Sequence, residues 1–292
     1  LLFTLPGRFS SPFADMPPSK PDLLHCFMDQ KFSSLPDVQS LADGRNIPID
    51  RVGVRDLTVP LTIASINGPQ PTIAEVSMYV GLPADKKGTH MSRFVSLIAD
   101  DPQPLSSEMM RGLLERMLEL LGAEEGYIDI RCPFFVTKSS PVSKLKSLMN
   151  YKVRFVAERK KGKTRVLQEI TAPVTSLCPC SREISDYGAH NQRSRIMISV
   201  ELASHMPLEE QIRIAETSAS CELWSRLKRN DEKYVTEYAY DHPKFVEDIV
   251  RDTAKQLNAE PRVLAYHTEA ENFESIHNHS AYAQIERDKR LG

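Results

Sequence analysis

The run Arg195-Ile-Met-Ile-Ser-Val-Glu-Leu202 alternates polar and apolar side chains along its length, with Met197 the one apolar residue at a polar place. A strand turns successive side chains to opposite faces, so such a run offers one face to a core and the other to water. Tyr127–Val136 and Tyr151–Arg159 share that period, and Val52–Leu57, Val59–Ala64, Ile73–Val80, Thr164–Ile170, Val263–Thr268 and Tyr282–Glu286 read as further strands. Helical spacing interrupts them. Met110, Leu113, Leu114, Met117, Leu118 and Leu121 define a helix over Ser106–Gly122, with Ser106 or Ser107 able to cap its start and Gly122 its end. A second helix opens at Pro207 with Glu209 and Glu210 in its first turn, and a third begins near Asp241 and runs to Leu257. Antiparallel strands with helices packed on one face predict an α+β fold.

The chain has 292 residues, 41% hydrophobic and 26% charged, enough to bury a sizeable core and to form two compact modules. The Ser- and Lys-rich connection Thr137–Asn150 marks their boundary, giving a first module over 35–143 and a second over 144–292. Residues 1–34 read as a disordered or added lead outside the fold, because Leu1–Pro21 is rich in Pro, Ser and Phe and lacks the basic start and apolar run of a signal peptide. Phe32–Asp50 reads as an extended arm. A net charge of -2 with no long run of one sign points away from nucleic-acid and membrane partners. Five cysteines without framework spacing indicate a reducing compartment, and the cytosol fits.

Chemistry concentrates in Pro173–Ser194. Cys178 and Cys180 stand either side of Pro179, with His190 beyond a short polar segment. Thiolates and imidazoles are ligands for borderline-soft metals, and the lack of a second Cys-x-x-Cys or His-x-x-x-His pair argues against a closed structural site. Two thiols and one imidazole would leave a position for water, as in a catalytic centre. The alternative is a pair of small core residues and a satisfied loop histidine, and spacing alone does not decide between them. Glu269-Ala-Glu-Asn-Phe-Glu-Ser-Ile-His-Asn-His-Ser280 crowds Glu269, Glu271, Glu274, His277 and His279 into one stretch. Were that stretch extended, His277 and His279 would share a face, and the density of proton-transfer groups suits general acid/base work. Asp231 and Glu232 read as solvated carboxylates, Glu247 as helix-start electrostatics, and the polar group Thr89, His90, Ser92 and Arg93 as a turn.

Longer motifs go further. Leu35-Pro-Asp-Val-Gln39, Lys87-Gly-Thr-His-Met-Ser-Arg-Phe94, Ser176-Leu-Cys-Pro-Cys-Ser181, Tyr187-Gly-Ala-His-Asn-Gln-Arg-Ser194, Ala219-Ser-Cys-Glu-Leu-Trp224, Pro243-Lys-Phe-Val-Glu-Asp248 and the Glu269–Ala283 segment occur in that order. Together they resemble the second-type prokaryotic GTP cyclohydrolase I family, type IB, from about Leu35 to the C-terminus.

The resemblance implies tandem tunnelling-fold modules, a homotetramer with active sites at subunit interfaces, and conversion of GTP and water to 7,8-dihydroneopterin triphosphate and formate. That reaction is the first step towards tetrahydrofolate and, in many bacteria, towards queuosine. Carried over by position, the metal ligands fall on Cys178, His190 and Glu232, for zinc, manganese or iron, with Cys180 able to share or exchange the role or to act in catalysis. Glu247 falls on the purine anchor and Glu274 and His277 on catalytic positions, His277 as proton shuttle. Lys87, His90 and Arg93 are candidates for the triphosphate, from a neighbouring subunit where needed, and His279 for substrate contact. Two other classes compete. A tunnelling-fold nitrile reductase of queuosine synthesis would use a cysteine nucleophile and NADPH without metal, and a non-catalytic, metal-stabilised purine-binding module would have no use for Glu274 and His277.

Overall fold

A computed structural model describes residues 36–99 and 103–291. The expected lead at 1–34 lies outside the described residues. Eight strands, β1 (Ile49–Ile63), β2 (Gln70–Leu82), β3 (Gly126–Ser139), β4 (Lys146–Lys160), β5 (Lys163–Leu177), β6 (Asn191–Leu202), β7 (Val263–Asn272) and β8 (Ala281–Asp288), form one sheet in chain order. Every neighbouring pair is antiparallel. Helices α1 (Met91–Ala99) and α2 (Ser107–Leu121) separate β2 from β3. The short α3 (Pro179–Ile184) lies between β5 and β6, and α4 (Leu208–Ser218), α5 (Arg229–Asp241) and α6 (Val246–Ala259) separate β6 from β7.

Two strands, helices, two strands therefore occur twice, and the halves join across the turn Lys161-Gly162, where both residues have positive φ (49° and 74°). Such a two-residue turn matches the twist of a hairpin, so the sheet runs through the join. The expected division at 143/144 falls instead inside the β3–β4 connection. Thr137–Ser139 and Lys146–Asn150, read as linker, are strand. Their polar composition hides this because Lys138 points inward, where Glu216 (2.7 Å) and Glu222 neutralise it.

Alternation sorts the sheet into two faces. Val76, Met78, Ile130, Phe155, Ile170 and Ile198 are all buried on the face that the helices cover. The other face carries charge. Burial pushes the Asp129 carboxyl up, but Arg154 and Arg131 outweigh it and hold the group below its ordinary value, while burial raises Glu169. Helix α2 follows its sequence signals closely. The Ser106 hydroxyl accepts from the Met109 N–H (3.2 Å), and Gly122 ends the helix at φ 59°. Its buried Met110, Leu113, Leu114 and Met117 contribute about 2 kcal/mol each by leaving water.

Two helices carry weaker signals. Helix α1 takes residues read as a loop and buries Phe94 and Ile98. In α5, Asp231 and Ala239 are the buried residues, so no apolar stripe announces it. What holds its start is Asp231, whose carboxylate accepts from the Val142 N–H (2.8 Å), the Ser143 N–H (2.8 Å) and hydroxyl (2.5 Å), and the Lys228 N–H (2.9 Å). Helix α6 starts at Val246, later than expected, because Pro243 lies ahead of its first turn and Asp248 caps the Phe245 N–H (3.0 Å).

Replacing Asp231 by Ala leaves three backbone donors without their acceptor, and the expected result is a fall in Tm of about 5–10 °C. Burial opposes ionisation of Asp231, yet its hydrogen bonds hold the carboxyl well below the ordinary value. A depressed folded-state value stabilises above the unfolded value and is lost as pH falls through the folded one. The gap between wild type and Asp231→Ala in urea unfolding is therefore full at pH 7 and narrows in acid below about pH 4.

Candidate active site at the ends of β5, β6 and β7

Register brings the site together. Leu177, the last residue of β5, lies opposite Asn191, the first of β6, so Cys178 and His190 flank the same strand end. The chain between them enters α3 with Pro179 at its start, and Gly188 (φ 106°) lies on the return. The Cys178 N–H donates to the His190 carbonyl (3.2 Å). On the other side of β6, Ser194 faces Asn272 and the Phe273 N–H donates to the Arg193 carbonyl (3.0 Å), which delivers Glu274 and Ser275 to the same end.

A buried polar chain ties these segments. Gln192 (7% exposed) accepts at Oε1 from His190 Nδ1 (2.9 Å) and donates from Nε2 to Ser176 Oγ (3.0 Å) and Glu274 Oε1 (3.3 Å). Ser176 and Ser194 hydroxyls lie 2.8 Å apart, Ser194 donates to Asn272 Oδ1 (2.7 Å), and Ser275 Oγ is 3.1 Å from His190 Nδ1. None of Ser176, Gln192, Ser194, Asn272 and Ser275 was expected at the site. The signal was parity, since the first four share the inward period of Val174 and Ile196 yet are polar.

The cysteines divide by environment. Cys132 and Cys221 are buried, and burial pushes their thiols up to about 12 and about 11, with the Glu222 carboxylate adding to the second. They remain neutral thiols near pH 7, whereas the thiolate is the nucleophile and the ligand. Cys178 is half-buried and Cys180 exposed. Cys26 lies outside the described residues. Two accessible thiols and an imidazole whose Nδ1 lies against Gln192 Oε1, leaving Nε2 for an ion, fit the donor chemistry of a transition-metal centre.

Other expected residues lie differently. Glu247 is exposed in the first turn of α6, whose approach is fastened to this end by the Lys244 N–H donating to the Leu177 carbonyl (3.1 Å). Glu232 is exposed in the first turn of α5. Tyr240 of α5 lies under the Arg182 guanidinium of α3 (4.8 Å), about 12 Å further along the helix axis than Glu232. Among the described residues, no three His, Cys, Asp or Glu side chains form a group able to hold a metal, so one chain does not preassemble Cys178, His190 and Glu232. Lys87, His90 and Arg93 follow β2, whose last residue lies at the sheet end opposite to Leu177 by the antiparallel order. There His90 Nε2 is 3.3 Å from Asp37 Oδ2, the Lys87 N–H donates to the Leu41 carbonyl and Arg93 Nη1 donates to the Leu120 carbonyl. His277 and His279 stand exposed in the bent β7–β8 connection, not in an extended segment, and their rings stack at 5.1 Å. The β7 ladder stops at Asn272 and β8 resumes at Ala281, so the intervening residues are free to bend.

A single antiparallel meander in two like-ordered halves, helices on one face, is the tunnelling-fold architecture within the α+β class. A hyper-thermostable AgUricase shares it at a TM-score of 0.50 and 8% identity, covering 82% of this chain and 92% of that one. Uricase from Arthrobacter globiformis superposes at 0.49 with 8% identity, over 82% and 94% of the two chains.

Residues 35–283 match the family described as Type I GTP cyclohydrolase folE2, and the chain belongs to that family. GTP cyclohydrolase FolE2 of Burkholderia vietnamiensis (strain G4 / LMG 22486) is 57% identical over 258 residues, 88% of this chain and 96% of its own length. The FolE2 of Paraburkholderia xenovorans (strain LB400) is 57% identical over 259 residues, 88% and 97% of the two chains. No helix among the described residues is long and apolar enough to cross a membrane.

Brief treatment of the folded protein with iodoacetamide at pH 7.5, followed by peptide mass spectrometry, is expected to modify Cys178 and Cys180 and to spare Cys132 and Cys221. Modification of the buried pair at equal rate would contradict the assignment of the reactive thiols.

Proposed function

We propose that this chain is a GTP cyclohydrolase I, converting GTP and water to 7,8-dihydroneopterin triphosphate and formate. The observation that carries the reading is family membership over residues 35–283; the neighbouring ends of β5, β6 and β7, which carry Cys178, His190 and Glu274, support it. In this reading Cys178 and His190 hold a divalent ion, zinc, manganese or iron, with Glu232 contributed by another subunit, and Cys180 stands beside it as a catalytic thiol. When bound, the ion supplies a Lewis acid that makes water nucleophilic near neutral pH.

The chain's own groups do the rest. The Glu247 carboxylate accepts two hydrogen bonds from the guanine N1–H and 2-amino group, which presents C8 of the purine to the strand end. Opening the imidazole ring, releasing formate and closing the pterin each move a proton, and His277 shuttles it with Glu274 as partner. His279, stacked on His277, restrains that ring and lines the substrate side. Lys87, His90 and Arg93 meet the triphosphate from a neighbouring subunit, since within one chain they lie at the far end of the sheet. A homotetramer with interface sites satisfies both requirements. The unpaired thiols suit a cytoplasmic enzyme acting on a free nucleotide, without nucleic-acid or membrane partners.

Formate release and pterin fluorescence from GTP test the reading, with protein stripped by a chelator and then given zinc or manganese. Activity is expected to vanish on stripping and to return with one of the ions. His277→Ala is expected to lower kcat by about 10²–10⁴-fold in the restored protein. GTP binding without formate or pterin under any ion would reject it.

A further inference from the structure

We propose that Gln192 is a positioning residue that sets the tautomer of His190 and aims Glu274 through one buried side-chain amide. The proposal rests on His190 and Glu274 belonging to the active centre. It adds a residue whose role comes from hydrogen-bond direction alone.

The contacts of the amide set its orientation. Glu274 as a carboxylate can only accept, so the Gln192 atom 3.3 Å from its Oε1 is the NH₂ nitrogen. From the other side, Ser194 donates its one hydroxyl proton to Asn272 Oδ1 (2.7 Å). Ser176 must then donate to Ser194 across their 2.8 Å contact, which leaves Ser176 Oγ as the acceptor for Gln192 Nε2 (3.0 Å). Both routes turn Gln192 Oε1 to His190, and a carbonyl oxygen can only accept. His190 Nδ1, at 2.9 Å, therefore carries the ring proton and Nε2 presents its lone pair. Reversing the amide would set its carbonyl oxygen against the Glu274 carboxylate.

Burial gives the chain its force. Ser176, Gln192, Ser194 and Asn272 are 0%, 7%, 1% and 3% exposed, so water does not substitute for a lost partner. An acceptor on the second ring nitrogen is what orients a metal-binding histidine, and its loss typically costs 10–100-fold in metal affinity. Gln192 differs from an ordinary backbone acceptor in also gripping the carboxylate expected to work with His277. One side chain thus locks the relative placement of His190 and Glu274, which are far apart in sequence.

The test uses full-length protein carrying ¹⁵N-labelled histidine, with Gln192→Leu, Gln192→Glu and His190→Ala. In metal-free wild type, long-range ¹H–¹⁵N spectra are expected to show His190 as the Nδ1–H tautomer, and Gln192→Leu is expected to show a mixture. Zinc competition against a chromogenic chelator should find Gln192→Leu weaker by about 10–100-fold. Gln192→Glu keeps an acceptor for His190 and should stay within threefold of wild type. That same variant sets two carboxylates together, so kcat is expected to fall at least tenfold while KM for GTP moves less than twofold.

An Nε2–H tautomer in wild type, equal zinc affinity in Gln192→Leu, or an unchanged kcat in Gln192→Glu overturns the proposal. If Gln192→Leu fails to fold, Gln192→Met removes the amide while keeping the length of the side chain. A mixed His190 tautomer there supports the proposal, and an unmixed one overturns it. If His190→Ala binds zinc as tightly as wild type, the metal-ligand reading fails separately, and the tautomer spectra still decide the role of Gln192.

Discussion

The register of β5, β6 and β7 is the constraint on which the rest depends. Ladder pairing places Leu177 opposite Asn191 and Ser194 opposite Asn272, and only in that register do residues 178, 190 and 274 reach one strand end together. A slip of one residue would turn every side chain of a strand to the other face. Here it would carry Ile196, Ile198 and Val200 into water and bring Arg195 under the helices. The apolar parity of the strand centres therefore fixes the polar parity of their ends. Four inward polar groups at those ends would be costly to bury alone, but each finds a partner in the next, so their desolvation is offset within the chain they form.

The same division explains the charge on the helix-free face. Helices cover one face, and the other carries Asp129, Arg131, Arg154 and Glu169 in a network where each carboxylate meets a guanidinium. β1 and β8 each pair on one side only among the described residues. A lone sheet of eight strands keeps two edges open, which soluble proteins usually cover or close. In the proposed homotetramer, neighbouring subunits would supply those edges and enclose the charged face.

How much of this could be read from the sequence depends on which signal each part carries. Strands and α2 were legible because burial imposes a period, and Ser106 and Gly122 supply the end signals. α5 was not, because it is held by one carboxylate that gathers donors from the β3–β4 connection, a contact without periodicity. The β3–β4 hairpin was mistaken for a linker for a related reason: an inward lysine satisfied by Glu216 and Glu222 looks like solvent-facing sequence. At the site, Cys178 and His190 were legible as donor types, whereas Gln192 and Asn272 are chemically plain. Their roles follow from which donor faces which acceptor, and that information exists only once three strands are side by side.

Glu232, Lys87, His90 and Arg93 show the limit in the opposite direction. Motifs associate them with Cys178 and His190, yet the fold of one chain holds Glu232 at the start of α5 and sends the basic group to the far end of the sheet. Antiparallel order makes this separation unavoidable, because β2 and β5 run in opposite directions and their C-terminal ends cannot coincide. Local rearrangement does not remedy a separation set by the length of a strand. If the basic group and the strand-end thiols serve one substrate, as proposed, a second copy must bring them together. Site completion and assembly are then a single event, and the parity that forms the core in one subunit also prepares half of a site that its neighbour completes.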